Sequence, residues 1–186
     1  MSKIDKEQID ELVIQAQKGD TDAFAAVYDE LVSPIYRYVY FRVNKDDVED
    51  LVELVFLKAW ENIHKYKKKK KTSFSSWVFR IAHNLVIDHY RTHKETAELD
   101  VNIPSYDREH NPIARAEKAL DEENLRKALS FLKDNYKQVL VLKFLEDLSN
   151  KEIAKVMKKS EGSLRILQMR ALNALKDVLA NMGIQY

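Results

Sequence analysis

The chain has 186 residues, of which 45% are hydrophobic and 33% charged, a balance that suits one or two compact domains and argues against general disorder. It contains no cysteine, which excludes disulfides, thiolate metal sites and cysteine catalysis. The net charge is only +1 but is unevenly spread: residues 1–61 carry seven bases and fourteen acids, whereas residues 62–94 carry nine bases and one acid.

The amino-terminal part has the hydrophobic period of helices. The chain has only three glycines and three prolines, and the resulting long uninterrupted segments predict an all-α fold. The first three predicted helices cover residues 6–18, 22–32 and 34–43. Gly19 ends the first, Asp20 or Thr21 caps the second, and Ser33-Pro34 predicts either the start of the third or a kink.

A longer helix is predicted from Asp46 or Asp47 to about Lys65. Its apolar residues recur at steps of three and four and should be buried. They are Val48, Leu51, Val52, Val55, Phe56, Ala59, Trp60 and Ile63. Leu54 and Leu57 lie off this stripe, which leaves an apolar spot with acids around it, a surface that suits a protein partner.

The next helix, Thr72 to Arg91, follows a run of five lysines, Lys67 to Lys71. Its apolar side should face the core, while its other side carries side chains that donate hydrogen bonds to phosphates or bases. Aromatic residues, including Tyr66, lie among the positive charges, as in proteins that hold single-stranded nucleic acid by stacking. The simpler interpretation is that Phe74 and Trp77 belong to the core and that the lysines form a solvated loop.

The helical period is lost between Thr92 and Asn111, and a polar, acidic segment there is interpreted as a flexible linker. The predicted fold is therefore two small helical domains, residues 1–94 and 112–186, joined by residues 95–111. In the second domain a helix is predicted over 113–132, and 136–145 is apolar enough to be central.

The sharpest local pattern is a helix-turn-helix near the carboxyl end. Ser149 and Glu152 form a capping box for a short helix, Lys158-Lys159 is the turn, and Ser160 caps a long helix to about Ala180. Four residues near the start of that helix should face outward: Arg165, Ile166, Met169 and Arg170. Either arginine is suited to guanine, and the apolar pair to a thymine methyl group. A plain helical hairpin is the alternative.

Several kinds of site have no pattern here. The five histidines lack zinc-binding spacing, so we expect no metal and no cofactor. No run of apolar residues is long enough to insert into a membrane, and the first fifteen residues do not resemble a secretion signal. We therefore expect a cytoplasmic protein.

Three stretches together resemble the bacterial sigma factors of the extracytoplasmic-function (ECF) group, in the sigma-70 family. They are DVEDLV with VFLKAW at 47–60, FSSWVFRIAHNL with ID and Arg91 at 74–91, and LS through SEGSLR at 148–165. Their order matches the two-domain plan of that family over nearly the whole chain.

The resemblance implies three sites. One would bind the clamp helices of core RNA polymerase through Asp50, Glu53, Leu54 and Leu57. A second would hold the melted minus-ten promoter strand through Tyr66, Lys69, Lys70, Lys71, Ser76, Arg80, Ile81, His83, Asn84 and Arg91. A third would read the minus-thirty-five element through Ser160, Ser163, Arg165, Ile166, Met169 and Arg170.

The sequence thus predicts a non-enzymatic transcription initiation factor that binds core RNA polymerase, directs it to promoters and assists promoter melting. An anti-sigma factor is a further partner implied by the resemblance. The alternative is a stand-alone helix-turn-helix repressor or activator, which would leave the basic stretch at 62–94 without a purpose. A helical enzyme ranks third, because no acid, base and nucleophile converge in the sequence.

Overall fold

The structure is a computed structural model that describes residues 6–68, 73–92 and 122–183, with side chains from residue 8 onward. Within these ranges all regular secondary structure is helical, which confirms the all-α prediction. The predicted linker, 95–111, and both of its boundaries lie outside the described residues, as do Lys69, Lys70 and Lys71.

Four helices form the amino-terminal part and four the carboxyl-terminal part of the described chain. The first four are α1 (Lys6–Ala16), α2 (Thr21–Tyr40), α3 (Val48–Asn62) and α4 (Phe74–Thr92). The others are α5, described over 122–130, α6 (Asp134–Leu140), α7 (Asn150–Val156) and α8 (Glu161–Asn181). Helix α6 continues into a π-helical turn, Val141–Leu145, and α3 into a 3₁₀ turn, Ile63–Lys65.

The prediction of a separate helix starting at Pro34 was wrong, because α2 runs through this proline without interruption. Proline inside a helix removes one backbone hydrogen bond and costs about 3 kcal/mol. The apolar period nevertheless continues across it, with Leu31, Ile35 and Tyr38 all buried. Burial on both sides of the proline therefore outweighs the local penalty.

The predicted caps are mostly present. Asp20 accepts a hydrogen bond from the Ala23 amide, and Ser149 and Glu152 form the reciprocal capping box that the sequence predicts. Asp47 precedes α3 but makes no side-chain capping bond. Gly19 has a φ of +95°, a left-handed conformation that suits glycine, after α1 has ended two residues earlier than expected.

The buried stripe of α3 is close to the prediction, since all its predicted members except the half-buried Trp60 are buried. Helix α4 packs on α3 and α2 with one side and on α7 with another. As a result the core is continuous between the two parts of the described chain, from Val13 in α1 to Leu164 and Ala171 in α8.

Leu164 is fully buried at the start of α8, whereas Ile166, two residues further along, is 51% exposed. Leu164→Ala should lower the free energy of unfolding by about 2 to 5 kcal/mol, because it removes buried methyl groups and leaves a cavity. Urea denaturation measures this change. Ile166→Ala on the same helix is the matched control, and an equal loss in both variants would contradict the burial pattern.

Candidate nucleic-acid interface

Helix α4 presents part of its predicted binding side to solvent. Arg80, Asn84 and Arg91 are exposed, and Ile81 is half-buried. The Arg91 guanidinium lies 3.9 Å from the Asp88 carboxylate, and both side chains are largely exposed. An ion pair this exposed is weak. Arg91 therefore remains available to another anion such as a phosphate.

Three other predicted residues are buried in this arrangement. Tyr66 packs against Phe74 and Trp77, with ring centroids 5.0 and 5.5 Å apart, and burial raises its pKa to about 12. Ser76 is also buried, and its hydroxyl donates to the Ser73 carbonyl at 2.8 Å. The aromatic residues of this stretch therefore belong to the core here, as the simpler interpretation expected for Phe74.

His83 is the third of these, and it faces the carboxyl-terminal part of the chain. The Nδ1 atom of His83 lies 2.6 Å from the side-chain nitrogen of Gln138. The Gln138 amide can donate to Nδ1 only if Nδ1 carries no proton. Burial, followed by the positive charges of Arg42, Lys158 and Arg80, lowers the pKa of His83 to about 4. His83 is thus neutral near pH 7 and cannot contribute a positive charge to the surface.

Helix α1 and the residue that follows it hold the start of the segment that joins α3 to α4. The side-chain nitrogen of Gln17 donates to the carbonyls of Ile63 and Tyr66, both at 2.8 Å. The Lys68 ammonium lies 2.8 Å from the Asp10 carboxylate. Sequence reasoning missed these contacts, because Gln17 and Asp10 are more than 45 residues away and follow no motif.

The helix-turn-helix forms as predicted. Lys158 adopts a φ of +53°, and the next amide, that of Lys159, donates to the Ala154 carbonyl at 2.8 Å, as in a Schellman motif. Ser160 caps α8 by accepting from the Ser163 amide at 3.2 Å. Gln168 on α8 donates to Asn150 on α7 at 3.0 Å and helps to fix the angle between the two helices.

The outward side of α8 carries the residues that the sequence predicted there. Ile166 and Met169 are 51% and 58% exposed, and Arg165 and Arg170 are exposed as well. Two arginines beside two apolar side chains at the beginning of a recognition helix form a surface that can bind guanine edges and thymine methyl groups.

A different surface lies on α3. Leu54 and Leu57 are 41% and 53% exposed, and Asp50 and Glu53 are exposed beside them on the same helix. This arrangement has an apolar centre and an acidic edge, and the acids would repel DNA. The chain thus carries two surfaces of opposite character.

The described residues form neither a metal site nor a membrane-spanning helix. No group of three or more histidine, aspartate or glutamate side chains is placed to hold a metal ion. None of the helices in the described ranges has the length and apolar character needed to cross a membrane.

A helical chain that ends in an exposed helix-turn-helix is typical of transcription proteins that bind DNA. Two family models match this chain: Sigma-70 region 2 over residues 27–96 and Sigma-70 region 4 over residues 122–175. The chain belongs to the sigma-70 family, and the relatives described below identify it as an ECF sigma factor. It is a transcription initiation factor, not an enzyme, which confirms the resemblance drawn from the sequence.

The relatives cover nearly the whole chain. The ECF RNA polymerase sigma factor BldN of Streptomyces coelicolor is 34% identical over 178 residues, covering 94% of this chain and 67% of its own. SigW of Bacillus subtilis is 30% identical, and the match covers 90% of this chain and 95% of SigW. Among solved structures, CnrH in complex with the cytosolic domain of CnrY has a TM-score of 0.66 at 25% identity, covering 95% and 99%.

The sigma factor RpoE of Bartonella quintana, solved with the anti-sigma factor NepR, has a TM-score of 0.69 at 18% identity, covering 84% of this chain and 96% of its own. That likeness supports the fold alone.

The buried, neutral His83 predicts a pH dependence of stability. A histidine in the unfolded chain takes up a proton near pH 6.5, whereas His83 in the folded chain stays neutral down to about pH 4. The free energy of unfolding should therefore fall as the pH is lowered from about 7.5 to about 5, because acid favours the state that binds the proton.

Urea denaturation at the two pH values measures this effect. His83→Gln should lose part of the dependence, and His64→Gln, at an exposed position, is the matched control and should keep it. An identical pH profile for His83→Gln and the parent chain would contradict the assignment.

Proposed function

We propose that this sigma factor divides its work among the three surfaces described above. Helix α3 binds core RNA polymerase, α4 holds the melted minus-ten strand, and α8 reads the minus-thirty-five element. The observation that carries the proposal is the presence, on one chain, of an acid-edged apolar surface and of separate exposed arginines on two helices.

The polymerase site centres on Leu54 and Leu57. These side chains are about half exposed, so a partner that covers them stabilises the complex by burying apolar surface. The nearby Asp50 and Glu53 favour a basic surface on that partner. The clamp helices of the polymerase are the partner that the family implies. The same acids keep this side of the molecule away from the DNA phosphates.

The minus-ten site uses the exposed side of α4. The exposed Arg80 and Arg91 would pair with phosphates, and Asn84 and the half-buried Ile81 would contact an unstacked base. Ser76 and His83 are both buried in the present arrangement, and His83 contacts Gln138 of α6, so His83 joins this side only if α6 moves away from α4. Full engagement of the opened strand therefore requires the two parts of the chain to separate.

The minus-thirty-five site is the beginning of α8. Ser160 and Ser163 lie at the helix amino terminus, where partial positive charge favours a phosphate, and the arginines follow within three turns. The turn before α8 adds Lys158 and Lys159 to this end of the helix-turn-helix. Backbone contacts would position the helix, and the side chains of Arg165 and Arg170 would select bases.

A regulatory protein is the further partner in this proposal. Two of the similar structures contain a partner chain, CnrY with CnrH and the anti-sigma factor NepR with RpoE. We expect that an anti-sigma factor binds this chain and covers DNA-binding or polymerase-binding surfaces. Because it acts with polymerase, we also expect the chain to be cytoplasmic.

Run-off transcription from a promoter library tests the function directly. Purified bacterial core RNA polymerase, with and without this protein, should produce transcripts with shared start positions only when the protein is present. Polymerase that is active on a nicked template but gains no specific starts would overturn the proposal. The stand-alone repressor would then take its place if the chain alone bound duplex DNA tightly and sequence-specifically.

The same assay tests the polymerase site. Leu57→Lys places a charge in the apolar spot and should reduce specific starts at limiting protein by about tenfold, the equivalent of about 1.4 kcal/mol of binding. Ile14→Lys is the matched control, because Ile14 is 50% exposed on α1 and lies outside the proposed site. Equal effects of the two variants would remove Leu57 from the interface.

The α8 arginines should select bases in the minus-thirty-five element. Arg165→Ala or Arg170→Ala should relax the preference at one base pair, because a bidentate arginine contact discriminates between bases by about 1 to 3 kcal/mol. Sequencing of transcripts from a library randomised upstream measures the preference. Lys176→Ala, further along α8, controls for a general loss of positive charge, and an unchanged preference in both arginine variants would contradict this assignment.

A further inference from the structure

One side chain, next to the end of α1, holds the backbone of the turn that follows α3. A primary amide nitrogen carries two hydrogens, and Nε2 of Gln17 donates to the carbonyls of Ile63 and Tyr66, each at 2.8 Å. The Ile63 carbonyl also accepts from the Tyr66 amide at 3.0 Å, which closes the 3₁₀ turn. Gln17 therefore joins both ends of this turn to α1.

The backbone of Tyr66 is the point where the chain leaves the turn. Its φ of −67° and ψ of 128° are extended, and Lys67 and Lys68, at the beginning of the lysine run, come next. A peptide group fixed here sets the direction in which the chain departs, because each residue has only two soft dihedral angles. The bond from Gln17 to the Tyr66 carbonyl fixes that peptide group.

The ring of Tyr66 connects the same residue to the start of α4. Its centroid lies 5.0 Å from that of Phe74 and 5.5 Å from that of Trp77, and the last two rings are 5.2 Å apart. Packed aromatic groups of this kind have few alternative arrangements. The position of the Tyr66 backbone is therefore coupled to the first turn of α4.

A second residue of α1, Asp10, contacts the same segment. Its carboxylate is 15% exposed and lies 2.8 Å from the Lys68 ammonium. Burial, followed by the negative charge of Asp10, raises the pKa of Tyr66 to about 12, so the phenol is neutral near pH 7. Because the Lys68 side chain is 63% exposed, the ion pair is weak, and Gln17 is the stronger constraint of the two.

We propose that Gln17 is a positioning residue for opening of the minus-ten element, with Asp10 in a supporting role. This inference deepens the proposed function and rests on it. Gln17 would act through Tyr66 and the start of α4, the helix whose exposed side carries Arg80 and Asn84, rather than by contact with DNA. A segment that is already ordered loses less conformational freedom when it captures the opened strand.

Amide hydrogen exchange in the full chain tests whether Gln17 holds the segment. Gln17→Ala removes both donors, and Gln17→Glu also places a negative charge against the two carbonyls. Each variant should speed exchange over residues 63–68 by about tenfold, while exchange within α3 stays at the parental rate. Equal exchange of this segment in the parent and in both variants would overturn the proposal.

Promoter opening tests whether this hold matters to function. With core RNA polymerase, permanganate reactivity of unpaired thymines measures opening of the minus-ten element, and a gel shift at low temperature measures promoter binding. Both Gln17 variants should reduce opening by about tenfold and leave binding close to that of the parent, because the residues of α3 and α8 are unchanged. Equal losses in opening and binding would contradict a positioning role.

Two further variants on α1 separate positioning from charge and from stability. Gln15→Glu makes the same change in charge at an exposed position, and Val13→Ala removes methyl groups from a buried one. Both should open the promoter like the parent, at a temperature at which circular dichroism shows every variant folded. Opening reduced as much by Gln15→Glu as by Gln17→Glu, or by Val13→Ala as by Gln17→Ala, would reject the assignment.

The parent chain distinguishes failure of this inference from failure of the proposed function. If the parent directs specific starts and the Gln17 variants open promoters normally, the positioning role is wrong and the sigma function stands. If the parent directs no specific starts with active polymerase, the proposed function is wrong, whatever the exchange rates of residues 63–68.

Discussion

The burial of α4 on two sides is the constraint on which the rest of the structure depends. One side packs on α3 and α2, which places the exposed Leu54 and Leu57 on the opposite side of α3. Another side packs on α7, and His83 of α4 contacts Gln138 of α6, so α4 also sets where the helix-turn-helix lies. A helix in this position transmits any rearrangement of one part to the other, because packed interfaces shift between discrete arrangements rather than deforming continuously.

Charge and polarity divide the surface according to its different partners. Acids surround the apolar spot on α3, whereas Arg80, Arg91 and the arginines of α8 lie elsewhere. The one chain can therefore hold a protein and a polyanion at once without either competing for the other's site. Between the two parts, by contrast, the Arg37 guanidinium is paired with the Glu146 carboxylate.

Features that depend on local sequence were predictable, and features that depend on distant contacts were not. The α3 stripe, the Ser149 capping box and the exposed residues at the start of α8 follow from periodicity and capping rules, and the structure contains them. The burial of His83 involves Gln138, 55 residues away in the sequence, so periodicity alone assigned His83 to an outer side of the helix. The predicted helix start at Pro34 was wrong for the same reason, because tertiary burial overrides the local preference of proline.

The π-helical turn at Val141–Leu145 sets the register of everything that follows it. A π-turn accommodates one extra residue, and one residue corresponds to a rotation of about 100° around a helix. Without that residue Glu146 would point away from Arg37, and α7 would leave α6 in another direction. The angle of α8 therefore depends on one extra residue within an apolar helix. Deleting or inserting a single residue there would rotate the helix-turn-helix without changing the residues on its surface.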